Sequence, residues 1–186
     1  MEQPHPRETE PQIPPRIYVA SLSDYNAGRL HGTWIDATTD PEDIHEAVQR
    51  MLATSQEPLA EEWAIHDYEG FGPARLSEYS DFESVSRVAQ GIEIHGDAFA
   101  AWVAHAGDSS EETANKFDEV YLGRWDSITD YAEQFAEDLG LTDDIVPEWA
   151  RPYVRVDVDL LARDLEIELA IADSEEGGVH VFDPTV

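Results

Sequence analysis

Between Arg124 and Arg151 the chain carries eight carboxylates (Asp126, Asp130, Glu133, Glu137, Asp138, Asp143, Asp144 and Glu148) and no basic residue. Across all 186 residues, 41 acids stand against 11 bases, a formal net charge of −30. Like charge that is not interleaved with its opposite repels and destabilises a compact state. A fold built from this sequence must therefore turn its carboxylates outward on amphipathic elements and take its cohesion from apolar burial. Charge retained against that penalty points to a function that uses it.

The apolar material is present. The chain is 41% hydrophobic, with five Trp, seven Tyr and six Phe, far too apolar for a disordered acidic tail. Its length suffices to bury roughly 70% of the unfolded surface. Without cysteine there is neither a disulfide framework nor thiolate chemistry. Met1–Pro15 holds five prolines and no apolar run, and reads as a disordered tail rather than a signal peptide or membrane anchor. No stretch approaches the ~20 apolar residues that span a bilayer, so the expected location is the cytoplasm. The charge argues against direct binding of nucleic acid or anionic membrane and favours a basic protein surface as partner.

Acidity grows along the chain: net −6 over residues 1–60, −11 over 61–120 and −13 over 121–186. Arg16–Leu22 reads as a strand, Asp24–Gly28 as a turn, and Arg29–Ala37 as a second strand antiparallel to the first. Thr39 or Asp40 then caps a helix with Pro41 at its first position and Ile44, Ala47, Val48, Met51 and Leu52 on one apolar face. Glu62–Glu69 reads as a third strand, ended by Gly70-Phe71-Gly72-Pro73. Phe82, Val85, Val88, Ala89 and Ile92 have helical spacing after Ser80 or Asp81. Ala98–Ala106 is a second central helix, bracketed by Gly96 and Gly107, and Asp108–Thr113 is a polar loop. Phe117–Trp125 alternates as a strand would. Ser127 and Asp130 resemble a capping box for a helix with Ile128, Tyr131, Ala132, Phe135 and Leu139 inward, stopped by Gly140. Val158–Leu165 reads as a helix, and Leu169–Ala172 with Val179–Phe182 as a hairpin around residues 175–178. The Trp and Tyr residues fall mostly on the core positions of these patterns. The expectation is an α+β fold of three consecutive parts: 16–78 (antiparallel sheet plus helix), 79–113 (helical) and 114–186 (mixed and acidic), after the 1–15 tail.

On the helix from Ser127, the inward stripe turns Asp130, Glu133, Glu137 and Asp138 outward. Glu133 and Glu137 are four apart, a like-charge pair costing a few tenths of a kcal/mol that a base at Gln134 or Asp138 would relieve. A solvated face is the simplest reading of one such helix. The scarcity of counter-charge in the whole chain, where Lys116 is the only lysine, favours more. Duplex DNA carries one charge per ~1.7 Å, so this net charge corresponds to about 50 Å of duplex, and a dimer to about 100 Å or roughly 30 base pairs. Carboxylates at helical spacing sit ~5–6 Å apart, comparable to backbone phosphates. The candidate surface comprises Glu111, Glu112, Asp118, Glu119, Asp126, Asp130, Glu133, Glu137, Asp138, Asp143, Asp144 and Glu148.

Other chemistry has little support. Paired acids occur everywhere in such a chain, so no glycosidase dyad stands out. Asp157 with Asp159, or Asp143 with Asp144, are candidate divalent-ion ligands, but no calcium-loop order is present. The seven histidines lack metalloprotease spacing. There is no nucleophile elbow or Walker loop, and Gly70-Phe71-Gly72 reads as a turn rather than a dinucleotide fingerprint. No catalytic residue, cofactor or metal is expected. Two readings compete with a DNA-imitating surface: an acidic metal-dependent hydrolase, and halophilic adaptation in which the charge reflects the host's salt.

Pro15–Ala37 (PRIYVASLSDYNAGRLHGTWIDA) resembles the N-terminal signature of the ArdA antirestriction proteins of plasmids and conjugative transposons. The similarity continues in Glu62–Gly70, Tyr121–Gly140 and Tyr153–Leu165, covering 16–186, with 73–113 loosely matched. Met1–Pro15 departs from the family pattern. The resemblance implies an elongated three-part α+β protein that dimerises through its C-terminal part. It also implies a non-enzymatic inhibitor that occupies the DNA groove of type I restriction-modification enzymes, blocking restriction and often modification, and so protecting mobile DNA. The family's acidic antirestriction motif corresponds to about Asp130–Asp144.

Overall fold

A computed structural model describes residues 13–58, 60–141, 145–150 and 152–186. Among them are two three-stranded antiparallel sheets and seven helices, an α+β fold with a helical centre. The chain divides into two compact units, Met1–Asn115 and Lys116–Val186.

The first unit is organised by β1 (Arg16–Ser21), whose Ile17 and Val19 are fully buried on alternate positions. It is the central strand, between β2 (Gly32–Asp36) and β3 (Trp63–Glu69), both antiparallel to it. At its start Arg16 lies in register with Asp36 on one side and Glu69 on the other. Arg16 Nε donates to Glu69 at 2.8 Å, and the guanidinium sits 4.6 Å over the Trp34 ring. Helix α2 (Pro41–Leu52), with Asp40 as its N-cap residue and Pro41 at the first position, packs Ile44, Val48, Met51 and Leu52 against the sheet. Ala47 is only half-buried.

The β1–β2 connection differs from a simple turn. Leu22–Asn26 forms one helical turn, α1, before the turn at Gly28. The Ser21 hydroxyl accepts from the Asp24 backbone N–H, and the Asp24 carboxylate is only 1% exposed. It accepts from the Ser55 hydroxyl and from Arg29 Nε at 3.3 Å, while Arg29 also pairs with Glu57. Satisfying this aspartate requires a helical turn rather than an open loop, and it stitches the β1–β2 connection to the segment after α2.

Helices α3 (Phe82–His95) and α4 (Asp97–Ala106) form an antiparallel pair with Gly96 between them. They approach so closely at Gly91 that a Cβ there would lie 2.3 Å from the Phe99 ring. Residues 98–103 of α4 are all buried, and Trp102 Nε1 donates to the Thr113 carbonyl at 2.8 Å. Ser86 and Gln90 of α3 donate to the carbonyls of Thr39 and Thr38, joining α3 to the β2–α2 connection.

The expectation of a strand from Phe117 is overturned. Glu111–Val120 is helix α5, and the strand β4 is only Tyr121–Trp125. The polar segment begins the helix: Ser110 Oγ accepts from the Thr113 N–H, and Asp108 accepts from the N–H of Ser110 and the hydroxyl of Thr113. Thr113, Phe117 and Val120 are buried at i, i+4 and i+7, a helical period that two-residue alternation around Val120 and Leu122 obscured.

The second unit has strand order β4-β6-β5, with β6 (Val179–Phe182) central and β5 (Ala170–Asp173) forming the hairpin with it. Phe117, Tyr121 and Phe182 cluster, and the Tyr121 hydroxyl lies 3.0 Å from His180 Nδ1. Helices α6 (Ile128–Asp138) and α7 (Val158–Glu168) pack through Ala132, Ala162 and Leu165, flanked by Ile128, Tyr131, Phe135, Val158 and Leu161. Leu139 does not join this core. It is 59% exposed at the helix C-cap, and Ala136 takes the buried position one turn earlier. Gly140 (φ 71°) donates to Glu137 O and Leu141 donates to Ala136 O, a Schellman closure that turns the chain away after Leu139. The aromatic residues also depart from the core expectation: Tyr25, Trp34, Tyr79, Trp149 and Tyr153 are exposed, and only Trp102 among the tryptophans is buried.

Hydrogen bonding from Ser55, Ser21 and Arg29 holds the Asp24 carboxyl below its ordinary value of 3.8 against the opposing effect of burial. A depressed pKa stabilises the fold fully above the unfolded value and is lost as pH falls through the folded one. Asp24→Asn is expected to lower the thermal midpoint at neutral pH. The gap to the unaltered protein should narrow as pH falls below 3.8, in melting curves followed by circular dichroism.

Candidate functional site

Helix α6 is set by its cap. Ser127 Oγ accepts the Asp130 N–H at 3.1 Å, and the Ser127 hydroxyl donates back to the Asp130 carboxylate. With Ala132 and Ala136 buried, Asp130, Glu133, Glu137 and Asp138 are all exposed. Asp130, Glu133 and Glu137 follow i, i+3 and i+7 along one stripe. Asp130 therefore serves the helix cap as well as the surface. Asp138 accepts from the Gln134 side-chain amide at 2.9 Å, a neutral partner where a base would cancel charge. Glu133 and Glu137 have no ion pair among the described residues.

One base lies between Lys116 and Arg151. Arg124, on β4, directs its guanidinium to Glu176 at 3.0 Å, on the β5–β6 turn. The carboxylates of α6 are left without a cation from their own segment.

The remaining expected residues distribute as follows. Asp118 and Glu119 are exposed on the second half of α5, and Asp126 is exposed just ahead of the α6 cap. Glu148 is exposed beyond α6. Glu111 and Glu112 occupy the first turn of α5, in the first unit, where they complement the helix dipole. Asp143 and Asp144 lie outside the described residues.

The packing of α7 on α6 adds acids not placed on the candidate surface from sequence: Asp159, Asp164, Glu166 and Glu168 are exposed on the second helix of the pair, with one exposed base, Arg163, among them. Their legible signal was the inward stripe Val158, Leu161, Ala162 and Leu165, which leaves them outward. The pairing with α6 had no local signal. Asp157, considered above with Asp159 as an ion ligand, is the α7 N-cap and accepts the Leu160 N–H at 3.0 Å. Among the described residues, no group of three or more His, Asp or Glu is placed to hold a metal ion. No helix among them is long and apolar enough to cross a membrane.

Comparison with known proteins adds a family. The family model described as Antirestriction protein (ArdA) matches residues 17–180. The chain belongs to the ArdA antirestriction family. Among curated proteins, no sequence matches it. The matched span takes in helices α1 to α7 and all but the first residue of β1 and the last two of β6, so ArdA membership covers the acidic α6–α7 pair as well as the N-terminal sheet.

Because Glu133 and Glu137 repel across one helical turn, Glu137→Lys should convert a like-charge pair into Glu followed by Lys at i+4. The expected gain is about 0.5–1 kcal/mol at low ionic strength, counting the lost repulsion and the new attraction. It should shrink as added salt shortens the screening length. Urea denaturation at two salt concentrations measures both.

Proposed function

We propose that this ArdA protein imitates B-form DNA with its surface carboxylates. In this reading it occupies the DNA-binding groove of a type I restriction-modification enzyme, inhibiting restriction and modification together. The observation that carries the reading is the acidic stretch around α6, whose single base is turned onto Glu176. A protein selected for stability alone would gain from a lysine at Gln134 or Glu137. One selected to fill a groove lined by Lys and Arg would lose by it. Binding would draw on the counterion release that normally drives DNA association, and therefore weaken with salt.

The acting form is a homodimer in the cytoplasm, in keeping with the family resemblance. The apolar side chains that would support it follow α6. Trp149 and Tyr153 are 78% and 85% exposed, and Leu139, Leu141, Ile145 and Val154 are exposed in the same segment. Covering a large apolar side chain contributes about 1.5–3 kcal/mol, and several covered together are needed to offset the loss of translational and rotational freedom on association.

The direct test is displacement of a labelled duplex from a purified type I methyltransferase complex. Displacement is expected at near-stoichiometric protein and should weaken as salt rises. The combined variant Asp130→Asn, Glu133→Gln, Glu137→Gln, Asp138→Asn should displace far less DNA with an unchanged or raised melting temperature. Failure to displace, or displacement insensitive to salt, would falsify groove mimicry. In sedimentation velocity, Trp149→Asp with Tyr153→Asp is expected to yield a folded monomer. A folded dimer from that variant would remove these aromatics from the interface.

A further inference from the structure

The N-terminal unit contains a cavity of about 670 Å³ that the acidic helices do not involve. It is walled by the start of α2 (Pro41, Glu42, His45, Glu46), by Trp63 at the head of β3, and by residues 79–83 leading into α3. Trp63 stacks on Phe82 with centroids 4.5 Å apart and planes 18° apart, giving an aromatic wall. Tyr79 lines the same cavity yet is 69% exposed. Its backbone is fixed: Glu78 O accepts from Ile65 of β3, the Tyr79 N–H donates to Ser77 Oγ, and the Ser77 N–H donates to Ser80 Oγ. The braced turn sets where the Tyr79 side chain leaves the backbone, and its exposure leaves the ring open to contact.

The rim is one-signed. Glu42, Glu46, Asp81 and Glu83 line the cavity, and no Lys or Arg does. Arg50, which pairs with Glu46 at 3.8 Å, lines a different cavity, against β2. Asp81 is kept anionic by the Ser84 N–H at 2.8 Å. The first turns of α2 and α3 border the cavity and contribute about half a positive charge each, which four carboxylates outweigh. An anion is excluded by this rim, and a purely apolar ligand leaves the carboxylates unused. Aromatic faces with nearby carboxylates suit a cation on an apolar stem. Of the protein cations, the planar guanidinium, which stacks on rings and pairs bidentately with carboxylates, uses both features.

We propose that this cavity binds the guanidinium of an arginine side chain presented by a protein partner, stacked on Tyr79 and Trp63 and paired with Glu42 and Glu83. The site goes beyond groove mimicry. Whereas the α6 surface presents dispersed charge in the manner of phosphates, the cavity reads a single side chain through shape and stacking. It lies in the unit that lacks α6, and its test involves no restriction enzyme.

The probe is Nα-acetyl-arginine amide, titrated into the full-length protein and followed by the Trp63 indole N–H resonance, assigned with Trp63→Phe. A saturable shift is expected, with Nα-acetyl-citrulline amide, the neutral isostere, producing none. Tyr79→Ala should weaken binding about two- to fivefold, in line with a lost cation–π contact at an exposed ring, and Glu42→Gln with Glu83→Gln should weaken it further. All three residues are exposed or on the rim, so the variants are expected to fold, and their spectra will show it. Equal binding of citrulline, no shift of Trp63, or full affinity in folded Tyr79→Ala would each overturn the proposal. So would an arginine response at α6 resonances equal to that at Trp63, since it would indicate diffuse attraction to the acidic chain.

Discussion

With 30 uncompensated negative charges, folding draws carboxylates closer together than they are in the open chain. Apolar burial must then outweigh repulsion as well as the entropy of ordering. The placement of the few bases follows from that constraint. Arg16 lies between Asp36 and Glu69 at the start of the central strand, and Arg29 meets buried Asp24 and Glu57. Arg87 donates to Ser109 O, and Arg124 holds the β5–β6 turn. Each fixes a junction of the backbone. None of these four lies on α6, whose outer stripe stays uniformly negative.

The two acidic environments differ in kind. On α6 the carboxylates project from a helix whose inner face packs on α7 through the small residues Ala132 and Ala162 with Leu165. Small residues permit a close helix pair with exposed flanks, so charge stays hydrated and separated by helical spacing. In the N-terminal cavity, carboxylates from two helix starts converge on aromatic rings, one of them at a strand end. Hydrated, dispersed charge suits an extended basic groove. Charge beside a ring suits one defined cation.

Elements with a strong period or a cap were legible residue by residue. Asp40 with Pro41, Asp81 and Ser127 mark helix starts where the structure has them, and Gly140 closes α6. The β5–β6 hairpin and the antiparallel β1–β2 pair were equally readable. The departures arise where two patterns overlap. From Phe117 onward, alternation and helical spacing share Val120, and the cap formed by Asp108, Ser110 and Thr113 tips the balance to helix. Leu139 continues the α6 stripe in sequence, yet the Schellman closure ends the helix before that position can pack. In the candidate site, the outward direction of Asp130, Glu133, Glu137 and Asp138 was readable from the stripe opposite them. The contribution of α7 was not, because helix pairing is a long-range contact with no local signature.

The sequence alone determined the sign and density of the surface charge, the α+β class, and the resemblance to the ArdA family. Composition, short-range periodicity and ordered motifs are properties of the chain itself. Tertiary structure decided which charges stay unneutralised: Arg124 turns to Glu176 rather than to α6 because β4 pairs with β6 in a register that places it there. It also decided that Trp63, Tyr79 and Glu42, far apart in the chain, wall one cavity. Strand register and helix packing set these neighbours, since the free energy that selects them belongs to the whole core.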